Sequence, residues 1–87
     1  MTDDEITEVS ELVEACSRLL AGHSPHVNGA VLADLTATWL AGHIDLASKD
    51  NTDRLRAELL KMHADAIERL IPVNEKFFLD QLKKAAH

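Results

Sequence analysis

The sequence is poor in the residues that build disulfides and tight turns. Its 87 residues include three glycines, two prolines, one cysteine and no tyrosine. A single cysteine excludes an internal disulfide framework, and the low glycine and proline content is unlike that of a disordered chain. No apolar run approaches the roughly 18 residues of a membrane span, so we expect neither a transmembrane helix nor a signal peptide. These absences predict one soluble, cytoplasmic domain over residues 1–87.

Negative charge is concentrated at the start of the chain. Residues 1–17 contain six acidic residues and no basic one, whereas residues 18–87 contain nine of each, and the net charge is −6. Binding to nucleic acid or to an anionic membrane surface requires clustered lysine and arginine, and only Lys83 and Lys84 are adjacent. We therefore expect no nucleic-acid partner and no membrane partner.

Apolar residues recur at three- and four-residue steps along almost the whole chain, which predicts helices and no strand. Thr2 and Glu5 have the spacing of a capping box. Ser24, followed at once by proline, is typical of a helix start. These signals predict the first two helices over about residues 3–21 and 25–41.

Pro72 decides how the second half of the chain is divided. A proline clashes with the preceding helical turn, so a third helix is predicted over about residues 53–71, and Asn74 is then placed to cap a last helix over about residues 74–85. The alternative is that Pro72 only kinks one long helix. The predicted fold is all-α: a small antiparallel bundle of three main helices plus a short fourth helix after Pro72.

The five histidines make a metal site the first chemistry to consider. His23 and His26 are three residues apart across a predicted turn, a spacing that lets both rings bind one ion. His63 lies between apolar positions of the third helix, where it is either a hydrogen-bonded histidine at the edge of the core or part of a small-molecule pocket. A metal- or ligand-binding helical module is therefore one hypothesis.

No catalytic motif is present in the sequence. Cys16 lies on the apolar side of the first helix with no base nearby in sequence, which predicts a buried, unreactive thiol. The chain has no nucleophile elbow, no glycine-rich phosphate loop and no His-Glu-x-x-His zinc pattern. We predict that the protein is not an enzyme and has no cofactor.

The chain has more large apolar side chains than a small core can bury. Adjacent apolar residues point about 100° apart on a helix, so one member of each pair should leave a narrow core. An exposed apolar surplus commonly marks an interface, which predicts a non-catalytic interaction protein that binds itself as a homodimer, another protein, or both. The proposed apolar contact residues are Trp39, Leu60, Phe77 and Phe78; for Trp39 the alternative is a core position.

The acidic side of the first helix is a second candidate surface. Glu8 and Glu11 lie beside its apolar stripe, where a basic partner could dock, although a solvated face that keeps a small protein soluble is the simpler explanation. A third hypothesis follows from the same charge: an acidic mimic of nucleic acid that docks on a basic protein surface.

Overall fold

Three helices and no strand make up the structure, a computed structural model that describes residues 1–86. Helix α1 spans Asp3–Leu20, α2 spans Pro25–Ala41 and α3 spans Lys49–Ala85. The all-α prediction is confirmed. The packing of these helices into an antiparallel bundle stays a prediction.

Helix α1 begins at a capping box and is followed by a glycine in a left-handed conformation. The Thr2 hydroxyl accepts a hydrogen bond from the Glu5 backbone N–H at 3.1 Å, and the Glu5 carboxylate accepts one from the Thr2 backbone N–H at 3.1 Å. This is the predicted capping box. Donation from the Thr2 backbone and hydroxyl lowers the pKa of Glu5 because it stabilises the charged carboxylate. After α1, Gly22 has a φ of 83°, a left-handed conformation that glycine adopts without steric cost.

The start of α2 also follows the sequence prediction. The Ser24 hydroxyl accepts a hydrogen bond from the backbone N–H of the third helical residue at 3.2 Å. The Asn28 side-chain amide donates to the Leu20 carbonyl at 3.2 Å, which ties the first turn of α2 to the end of α1. These contacts belong to one compact unit, Met1–Thr36, and a second unit begins at Ala37.

The predicted fourth helix is not a separate element, because α3 continues through Pro72 for 37 residues. A proline removes one backbone donor, here the bond to the Glu68 carbonyl, and an exposed carbonyl can bond to water instead. The alternative of one long helix is thus the arrangement observed. The start of α3 is also earlier than predicted, since the Ser48 hydroxyl accepts from the Asn51 N–H at 3.1 Å and caps the helix.

Candidate functional site

Large hydrophobic side chains are exposed along all three helices. Within residues 1–86 no hydrophobic residue is buried, and the one buried residue is Thr52, at 6% exposure. The apolar stripes read from the sequence are therefore real helix faces that this part of the chain leaves uncovered.

The second half of α3 carries a mostly apolar face. Its side chains recur at three- and four-residue steps, which puts them on one side of the helix, and they line a groove of about 470 Å³. We call this surface the distal face. It consists of Ile67, Leu70, Ile71, Asn74, Glu75, Phe78 and Leu79.

The distal face contains one of the aromatic residues proposed from the sequence and lies next to another. Phe78 is 64% exposed within the groove. The ring of Phe77 lies beside it, edge to face, with centroids 5.8 Å apart. Leu60 is exposed seven residues before Ile67, so it extends the same side of α3 toward the N-terminus of the helix. The structure thus brings three of the proposed contact residues to one side of α3 or next to it.

The side of α3 opposite the distal face carries a charged pair. The Lys76 ammonium lies 3.0 Å from the Asp80 carboxylate in an exposed i,i+4 ion pair. Lys76 is two residues from Asn74, which corresponds to a rotation of about 200° around the helix. The second half of α3 is therefore amphipathic, with an apolar face and a charged side that suits water.

A polar network fixes the connection between α2 and α3. The Thr52 hydroxyl accepts a hydrogen bond from the Asp45 N–H at 2.8 Å and lies 3.1 Å from the Ser48 carbonyl. The Asn51 side-chain amide donates to the Asp45 carboxylate at 2.8 Å. The pKa of Asp45 is lowered, first by this Asn51 bond and then by the Ala47 N–H, because both stabilise the charged form.

The side chains of Arg56 and His43 contact the last backbone carbonyls of α2. Arg56 donates to the carbonyls of Leu40 and Ala41 at 3.1 and 2.7 Å. His43 Nδ1 lies 2.8 Å from the Trp39 carbonyl, and a histidine near the C-terminus of a helix can bond its last carbonyls in this way. Because the last carbonyls of a helix have no partner within it, these side chains stabilise the corner between α2 and α3.

Trp39 belongs to this corner rather than to the distal face. Its ring centroid lies 5.4 Å from that of His43 and 5.4 Å from that of His63. The Trp39 side chain is still 44% exposed, so it is not a buried core residue in this chain. His63 is half-buried against the indole ring, and its role as a hydrogen-bonded histidine at the edge of a core stays a prediction.

The histidines proposed as metal ligands are exposed and lack a third partner. His23 lies in the turn after α1, and His26 lies in the first turn of α2. Over residues 1–86, no three histidine, cysteine, aspartate or glutamate side chains converge in a way that could hold a metal ion. The pair alone provides two of the three or four protein ligands usual for zinc.

Helix α1 presents its acidic residues to solvent. Glu8 and Glu11 are exposed, and Glu14 pairs with Arg18 at 2.9 Å. Cys16 is exposed as well, so the prediction of a buried thiol is wrong. The stripe that carries Cys16 has the expected apolar spacing, but no covering layer buries it within the part of the chain that the structure describes.

Sequence reasoning missed the roles of Arg56 and Asn74. Arg56 contacts carbonyls 15 and 16 residues earlier, and no local pattern indicates so distant a bond. Asn74 caps no helix, in contrast to the prediction, because it lies inside α3 on the distal face. Its spacing of seven residues from Ile67 is the signal that could have placed it there.

No protein-family model, curated protein or solved structure matches this chain. No helix in residues 1–86 combines the length and the apolar character that crossing a membrane requires. The surfaces themselves, above all the distal face, are therefore the observations from which a function can be argued.

Proposed function

We propose that this chain is a non-catalytic interaction protein that binds a second copy of itself and so completes a helical bundle with a shared apolar core. The observation that carries this proposal is the apolar distal face of α3, which lies within the unit that begins at Ala37 and which the rest of that unit leaves exposed. Burial of apolar surface is the main favourable contribution to folding. A symmetric homodimer can cover such a face with the same face of a second copy.

The distal face is large enough to support this proposal. At their observed exposures, its five apolar side chains present about 550 Å², and Phe77 and Leu82 beside them raise this to about 800 Å². The largest apolar patch of a typical monomer is about 300–600 Å², and a standard interface buries about 800 Å² from each partner. The exposed area thus fits an association surface better than a solvated one.

The charge distribution supports a second candidate, a basic protein as an additional partner. Helix α1 contains six acidic residues and one basic residue, and Glu8 and Glu11 are among the exposed ones. An acidic helix of this kind can steer a basic partner at low ionic strength. Such binding weakens steeply as salt is raised, whereas apolar self-association does not, so a salt series separates the two.

The experiment that tests self-association is native mass spectrometry combined with sedimentation velocity on the intact chain. We expect a dimer, with Phe78→Asp shifting the population to monomer because a charge enters the apolar contact. Leu46→Asp is the matched control, since Leu46 is 97% exposed in the loop before α3 and outside the distal face. A folded wild-type monomer at all accessible concentrations would overturn the proposal.

A further inference from the structure

The distal face contains two polar residues: Asn74 lies in its middle, and Glu75 lies about 100° further around the helix, toward the edge of the face. Asn74 lies seven residues after Ile67 and four before Phe78, so apolar side chains lie on the same side of the helix before and after it. Within residues 1–86 no hydrogen bond reaches its carboxamide. Since α3 continues through this position, Asn74 caps no helix. It is exposed in this chain, but a partner seated on the distal face would remove it from water.

This carboxamide restricts what can cover the face. An apolar partner would bury the Asn74 amide without hydrogen bonds, at a cost of about 1–3 kcal/mol. A carboxamide has both donors and an acceptor, so a second asparagine satisfies it reciprocally. A two-fold axis through this point of the face brings Asn74 of one copy against Asn74 of the other without any further requirement.

We propose that α3 of one copy packs on α3 of a second copy through the distal face, with the two Asn74 side chains hydrogen-bonded at the two-fold axis. This inference rests on the proposed self-association and adds its surface and register. Buried polar asparagines in apolar helix seams set register and the number of chains. Two such faces together expose up to about 1,600 Å² of apolar surface, the size of a standard interface, and the Lys76–Asp80 side of the helix stays in water.

The test is disulfide trapping at the proposed axis. Cys16 is exposed and is first replaced by serine to leave no other thiol. In that background Asn74→Cys should form a covalent dimer under mild oxidation, because the two-fold axis brings the same position of both copies together. Lys76→Cys, about 200° around the helix, should not. Equal trapping at both positions, or trapping at position 76 alone, would overturn the inference.

A second variant covers the case in which the cysteines do not reach each other. Asn74→Asp keeps the size of the side chain but places two carboxylates at the axis, where like charges oppose each other. We expect the dimer dissociation constant to rise about 100-fold at neutral pH and to recover in acid as one carboxylate takes up a proton. If wild-type dimerises and Asn74→Asp matches it at both pH values, the distal face is not the seam although self-association stands. A wild-type monomer would instead contradict the proposed function.

Discussion

Truncation of Phe78 gives the most direct estimate of what the distal face contributes. Phe78 is 64% exposed in the single chain, so Phe78→Ala removes little that the isolated chain itself packs. In the proposed dimer it removes about 100 Å² of buried phenyl surface from each copy. At about 25 cal/mol per Å² this is roughly 2.5 kcal/mol per copy and 5 kcal/mol per dimer, which corresponds to a rise of between about 10³- and 10⁴-fold in the dissociation constant.

Sedimentation equilibrium measures this change, with circular dichroism as the check on helix content. Leu19→Ala is the matched control, because Leu19 is an exposed apolar residue on α1. We expect the control to change the dissociation constant by less than about tenfold, as mutations outside the centre of an interface usually do. The reasoning is refuted if Phe78→Ala stays within that same range, or if Leu19→Ala weakens the dimer as much.

Three further predictions concern stability. Thr52→Val should lower the free energy of unfolding by about 1–3 kcal/mol, because it leaves the Asp45 N–H without its 2.8 Å acceptor; urea titration should show a smaller loss for Thr52→Ser, which keeps the hydroxyl. The pKa of Asp45 is lower in the folded chain than in the unfolded chain, where it is about 3.9. The charged carboxylate therefore stabilises the fold at pH values above the unfolded pKa, and this contribution is lost as the pH falls through the folded pKa. The stability advantage of wild-type over Asp45→Asn should therefore be present at pH 7 and shrink in acid, and an advantage that grows in acid would contradict the assignment. Pro72→Ala should raise the free energy of unfolding by about 2 kcal/mol by restoring a helical donor inside α3, and a loss of helix content would show that the proline is needed there.

Helix starts could be predicted because they depend on residues close together in sequence. The capping box of Thr2 and Glu5, and the Ser24 hydroxyl before Pro25, require only three-residue spacings, and both are present in the structure. The third helix was less predictable, because the rule that proline ends a helix describes a local cost. The sequence pattern does not show whether that free-energy cost exceeds the stability of the helical segments on both sides of Pro72. In the structure α3 continues through this residue.

Spacing predicted which side of each helix is apolar but not what covers it. The size of Phe78 makes it a candidate contact residue in the sequence, yet its position relative to Ile67 and Asn74 depends on the single helix that joins them. Cys16 shows the same limit, since a correct apolar stripe led to a wrong prediction of burial. A stripe looks alike in sequence whether its own chain or a second copy buries it, so oligomeric state has to be measured.

The claim that a second copy completes the apolar core is tested most directly by thermal unfolding of the wild-type protein over a range of concentrations. When folding and association are coupled, mass action makes the Tm rise with protein concentration. For a dimer of two such chains we expect about 4 °C per tenfold increase, from about 1.4 kcal/mol per tenfold and about 2.1 cal/mol/K of unfolding entropy per residue. A Tm that is independent of concentration, with the mass of one chain, would contradict the account.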